Sequence, residues 1–137
     1  MAAELFVDTS GWFPLVVRNN PAHRATAQAL RRRVQHGVRV VTSNLVVAET
    51  HALLLRRAGR AAAQAFARTV VEPPNVVVWS SAALEAAALG DWLERYDDED
   101  FSFTDAVSFA IMTERGIGEA LALDQHFRVA GFTTLPP

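Results

Sequence analysis

The feature that most constrains this chain is a regular exchange of short apolar runs for longer helical stretches. "LFV" before Asp8, "VRVV" before Thr42, "NVVVW" before Ser80 and "ALAL" before Asp124 are too short for helices, and several are rich in valine. A weaker run, "FTTL", follows Gly131. Between them lie helical patterns over residues 22–36, 44–58, 60–71, 82–96 and 104–115, stopped at Gly37, Gly59, Pro73-Pro74, the acidic loop "DDED" and Gly116 respectively. Strands that alternate with helices are joined by crossovers, which implies an α/β fold with a parallel sheet covered on both faces. A length of 137 residues, half of them hydrophobic, suffices for one buried core. No repeat or low-complexity linker divides the chain, so a single domain over residues 1–137 is expected.

Several function classes fall away. There are no cysteines, which excludes disulfides and thiolate metal sites. His23, His36, His51 and His126 are scattered, which argues against structural zinc. No apolar run reaches membrane-spanning length and no signal-type segment opens the sequence, so a soluble cytoplasmic protein without a membrane partner is expected. The net charge of −2 announces no nucleic-acid partner. All 13 basic residues are nonetheless arginines, the residue suited to phosphate contacts. Arg31, Arg32, Arg33 and Arg56, Arg57, Arg60 form local clusters on expected helices, read either as solvated faces or as an RNA-tracking surface.

The acids carry more information. Asp8 and Asp124 each directly follow an expected strand, and residues just past the carboxyl ends of parallel strands line the ligand crevice. Each could equally be an N-cap or turn residue. Glu49 lies well inside a helix, with Leu45, Val46, Ala52 and Leu53 at i−4, i−3, i+3 and i+4, so it is expected on the inward face. An unpaired buried carboxylate costs several kcal/mol or takes up a proton. Two readings stay open: a rim position with the head group in water, or a cation met inside. Asp105, in "FSFTDAVSFAIM", fits a Ser102-x-x-Asp105 capping box at the start of a helix apolar almost all round. Capping leaves one carboxylate oxygen free to face the crevice. Four converging carboxylates need a counter-charge, and oxygen ligands without cysteine select Mg²⁺ or Mn²⁺ over Zn²⁺. The reaction class this suggests is metal-assisted phosphodiester hydrolysis.

"FVDTSGWF", "SNLVVAE", "FSFTDAVSFAIM" and "ALALDQHF" together resemble PIN-domain ribonucleases, and among them the VapC-type toxins of toxin–antitoxin pairs. The likeness spans nearly the whole chain, in order. It implies a PIN-like three-layer fold and Mg²⁺- or Mn²⁺-dependent endoribonuclease activity. It maps Asp8, Glu49, Asp105 and Asp124 onto the family's catalytic and metal-binding acids. It also implies an RNA substrate, a cognate antitoxin over the active-site groove and a homodimer, with "FPLVV" and "AQAFARTVV" as apolar faces for such contacts. Ser10 resembles a hydroxyl that supports the first aspartate, or is a helix N-cap. Asp100 is read as a second-layer member of the site or as a solvated loop residue.

Rival readings are weaker. A haloacid-dehalogenase-type phosphatase resembles D-x-D, whereas Asp8 is followed by Thr9-Ser10. A receiver domain needs a lysine. A PIN nuclease of RNA processing and a non-cleaving RNA- or protein-binding module remain as alternatives, the latter at odds with a complete set of acids.

Overall fold

The structure, a computed structural model, describes residues 3–137. Strands β1 (Glu4–Val7), β2 (Arg39–Ser43), β3 (Val76–Val78), β4 (Glu119–Leu121) and β5 (Thr133–Leu135) form one sheet in the order β3-β2-β1-β4-β5. Every adjacent pair is parallel. All five expected runs are strands. β2 extends through Thr42 to Ser43, further than its apolar run, because the buried Thr42 hydroxyl donates to the Val7 carbonyl at 2.9 Å and so adds to the tie between β2 and β1.

The helices are α1 (Thr9–Val16), α2 (His23–Gln35), α3 (Asn44–Arg57), α4 (Arg60–Thr69), α5 (Ala82–Ala87), α6 (Phe103–Arg115) and α7 (His126–Val129). Residues 82–96, expected as one helix, instead divide into α5 and a π-helical turn, Ala88–Glu94, that contains Gly90. Glycine is a poor helix former, and the widened turn brings Trp92 against Phe109 and Phe132, with ring centroids 5.0 and 6.0 Å apart. Strand order accounts for the layers. From β1 the chain steps to β2 and β3 on one side, then crosses back to β4 and β5 on the other. Right-handed crossovers therefore put the helices of the two halves on opposite faces. Accordingly α1 packs on α2 and α3, and α3 on α4, while α6 packs on α5, the π-helical turn and α7.

β1 is the centre of the molecule: Leu5, Phe6 and Val7 are wholly buried, as are Val107, Phe109 and Met112 of α6. The expectation that α6 is deeply packed holds, since every residue from Asp105 to Met112 is buried. The reversal of strand order falls between β1 and β4, which opens a crevice at their carboxyl ends. Gly11 brings α1 against this point. A Cβ there would stand 2.3 Å from the Leu121 carbonyl oxygen, too close for any other residue.

Candidate active site

Asp8 leaves β1 and caps α1. Its Oδ2 accepts the Ser10 amide at 3.1 Å and the Ser10 hydroxyl at 2.7 Å. The same hydroxyl accepts the amides of Leu123 at 3.0 Å and Asp124 at 3.1 Å. Ser10 is therefore the tie between the two strand ends rather than an N-cap; the cap is Asp8. Asp124 reaches the crevice from the turn after β4, where its Oδ1 accepts the His126 amide at 2.9 Å. Asp105 comes from the amino end of α6, on the far side of the sheet. The capping box is present: Ser102 Oγ accepts the Asp105 amide at 3.0 Å, and Asp105 Oδ2 accepts the Ser102 amide at 3.2 Å.

Glu49 differs from expectation. The buried line of α3 is Val46, Thr50 and Leu54, and Glu49 lies one residue off it, exposed to solvent. Thr50 can take the inward place because its hydroxyl donates to Thr9 Oγ1 at 3.0 Å. The burial assigned to Glu49 from its apolar neighbours is thus corrected, yet it still stands at the mouth of the crevice. Asp8, Thr9, Ser10, Glu49, Leu53, Asp100, Ser102, Asp105, Asp124 and His126 line one open cleft of about 390 Å³. All four acids singled out in the sequence face it. Asp100 does too, from an exposed loop position.

His126 is the residue that the sequence reading missed. Its Nδ1 lies 3.1 Å from Asp105 Oδ2 and 3.5 Å from Asp124 Oδ1. The available signal was its place two residues after Asp124; four scattered histidines concealed it. Burial works to lower its pKa, but the Asp105 hydrogen bond and the charges of Asp124, Asp105 and Glu99 outweigh that and raise it.

Electrostatically the cleft is one-sided. Five acids line it and no arginine does. Burial pushes the Asp8 carboxyl up to about 6, against the lowering effect of Ser10's two hydrogen bonds, with the Asp105 and Glu49 charges adding to the rise. The residues fit a hard divalent cation. Asp8 and Asp105 commit Oδ2 to protein donors, and neither Oδ1 takes a hydrogen bond. Among the described residues no buried side-chain oxygen lacks a partner, so both Oδ1 atoms are reached from the cleft. Ligand atoms of Asp105, Asp124 and His126 lie within 4.8 Å of one another. Carboxylates on a shared cleft that lacks a counter-cation form the donor set that Mg²⁺-like ions take.

A sequence model of the PIN domain matches residues 5–132. This chain belongs to the PIN domain family. PIN domains are metal-dependent nucleases, and the expected PIN-like fold is the one observed. The 23S rRNA-specific endonuclease VapC20 of Mycobacterium tuberculosis, in strains CDC 1551 / Oshkosh and ATCC 25618 / H37Rv, is 40% identical over 133 residues, covering 97% of this chain and 98% of the relative. The crystal structure of M. tuberculosis VapC20, a sarcin-ricin loop cleaving toxin, matches with a TM-score of 0.88 at 38% identity, covering 97% of this chain and 99% of that one. The resemblance to VapC-type toxins drawn from four short motifs is thereby borne out.

Proposed function

We propose that residues 1–137 act as a single PIN-like domain, the endoribonuclease toxin of a type II toxin–antitoxin pair, cutting 23S rRNA at the sarcin-ricin loop with Mg²⁺ or Mn²⁺. The observation that carries this reading is the convergence of Asp8, Glu49, Asp105 and Asp124 on one cleft at the strand-order reversal. The substrate and the toxin role rest on the near-full-length likeness to VapC20.

Each residue has a task in that chemistry. Asp8 and Asp105 would hold the cation through their carboxylates, which the caps of α1 and α6 keep in place. Asp124 completes the ligand set from the β4 turn. Glu49, at the solvent-facing mouth, orients the attacking water and takes its proton. A divalent cation bound here lowers the pKa of water and offsets charge on the phosphodiester oxygens. Water adds across one P–O bond, its hydroxyl going to phosphorus and a proton to the leaving ribose oxygen.

Substrate binding falls to arginines beyond the cleft. Arg33 is paired to Glu119 at 2.7 Å, and Arg39 and Arg115 to Glu4 at 2.6 and 2.9 Å, which removes these three from RNA contact. Arg56 and Arg57 stand one helical turn past the cleft-lining Leu53 and have no carboxylate partner among the described residues. They extend the site along α3 toward flanking phosphates.

The antitoxin and a second copy of the chain are the expected protein partners. Of the apolar stretches singled out for such contacts, Pro14, Ala63, Phe66 and Val70 pack into the core. Ala67 and Val71 instead open, with Val47 and the largely exposed Trp79, onto an apolar groove that suits a protein segment. No helix among the described residues is long and apolar enough to cross a membrane, in keeping with a cytoplasmic site of action.

The test is cleavage of a sarcin-ricin loop RNA and of a total RNA pool by the purified chain, with Mg²⁺, with Mn²⁺ and with chelator, beside Asp105→Asn. Discrete, metal-dependent fragments that vanish in the variant are expected. Equal inertness of both proteins, each folded, would overturn the proposal.

A further inference from the structure

We propose that His126 binds the site's divalent ion directly through Nδ1, and that this imidazole turns the site toward first-row transition ions such as Mn²⁺ over Mg²⁺. The inference rests on the reading of the cleft as the metal site of a PIN nuclease. A histidine that only oriented Asp105 would need one carboxylate, because a single N–H satisfies one acceptor well. His126 Nδ1 instead faces two, Asp105 Oδ2 at 3.1 Å and Asp124 Oδ1 at 3.5 Å, supplied by the start of α6 and by the turn after β4.

Two sides of the triangle have the right size. Donors bound at right angles to one ion, with bonds of about 2.1 Å, stand about 3 Å apart. Nδ1 stands near that separation from both oxygens, and the three ligand atoms lie within 4.8 Å of one another. The ring is also held in advance. Phe101 packs edge-on against it, 5.3 Å between centroids at 80°, and the His126 amide donates to Asp124 Oδ1 at 2.9 Å. The ligand and its neighbour thus move together.

The ion preference follows from ligand chemistry. Mg²⁺ takes oxygen donors and gives up water reluctantly, whereas imidazole nitrogen suits the later divalent ions. A site of carboxylates alone would treat Mg²⁺ and Mn²⁺ alike, apart from the general rise in affinity along the series. One imidazole in place of a water separates them.

Pulsed EPR of the Mn²⁺-loaded full chain is the direct test, since a coordinated ring nitrogen couples to the electron spin. We expect ¹⁴N coupling in the wild type and its loss in His126→Gln. Calorimetric titration should show Mn²⁺ affinity falling at least about tenfold in that variant, with Mg²⁺ affinity changing less than about threefold. Mn²⁺ bound to the wild type without ¹⁴N coupling would overturn the inference and leave the PIN metal site intact. Equal losses for both ions would reduce His126 to a hydrogen-bond donor for Asp105. No binding of either ion by the wild type would overturn the site reading itself. The wild-type spectrum decides the ligand even if His126→Gln folds poorly.

Discussion

Replacing Asp8 by asparagine should stabilise the metal-free protein, increasingly so as pH rises from the ordinary carboxylate value toward that of the buried carboxyl. The folded-state value of about 6 lies above the reference of 3.8, chiefly because Asp8 is buried with 4% of its surface exposed. Below both values the acid is protonated in both states and contributes nothing. As pH rises between them, the unfolded chain sheds its proton while the folded chain retains it, so stability falls. Above both, the loss is complete. At 1.36 kcal/mol per unit, it amounts to about 3 kcal/mol. Asparagine has no such dependence, and its side-chain oxygen can still accept from the Ser10 amide and hydroxyl. The difference between variant and wild type should therefore grow by about 2.4 kcal/mol from pH 4 to pH 7, part of the loss being already present at pH 4. With an unfolding entropy of about 2.1 cal/mol/K per residue, this is about 8 °C in Tm. Melts followed by circular dichroism in chelator, from pH 4 to pH 8, measure it. A difference that stays flat over that range would refute the reasoning, because a lost or gained contact does not titrate. Adding Mg²⁺ at pH 8 should close the gap, since only the wild type retains a full ligand set and gains binding free energy.

Ser10→Ala removes three hydrogen bonds at once and should cost about 1–3 kcal/mol in urea unfolding, with weaker metal binding because Asp124 loses its tie to Asp8. Gly11→Ala forces a methyl onto the Leu121 carbonyl and should cost about 1–3 kcal/mol or more, although alanine favours helices; an unchanged midpoint would show that α1 can shift freely. Glu49→Gln, at an exposed position, should leave metal-free stability within about 0.5 kcal/mol while weakening stabilisation by Mg²⁺; a clear loss without metal would make Glu49 structural. RNA affinity should fall steeply with salt despite the net charge of −2, and Arg56→Ala with Arg57→Ala should lower the log–log slope by about 1–2; a flat response would exclude the arginine track.

The sheet and the acids were legible because each left a local mark. Strands buried on both faces must read as apolar runs, and the aspartates that follow β1 and β4 stand where any such sheet places its crevice. What escaped depended on tertiary partners. Glu49 looked inward from its neighbours, but burial on α3 was decided by Thr50, whose hydroxyl finds Thr9 across the helix pair. His126 carries only a faint local signal, its place two residues after Asp124, since its other partner lies 21 residues away. The division of residues 82–96 turned on Gly90 and on aromatic rings from α6 and β5's approach, none of which a helical period records.

One ambiguity in the sequence proved to be a design feature rather than a choice. Asp8 and Asp105 each looked like a helix cap and each like a ligand, and the two roles are compatible at the level of single atoms. In each, Oδ2 accepts from the first turn of its own helix, α1 or α6, while Oδ1 is left without a protein donor and open to the cleft. The cap fixes the carboxylate's plane, so the free oxygen needs no further support to stay aimed. This also explains why the site is built at helix starts on both faces of the sheet. Orphan amides there stabilise carboxylate charge that a buried, cation-free cleft would otherwise neutralise by taking up a proton, and the strand-order reversal lets the two helices address the same point. A bound metal would complete a charge balance that the backbone has already begun.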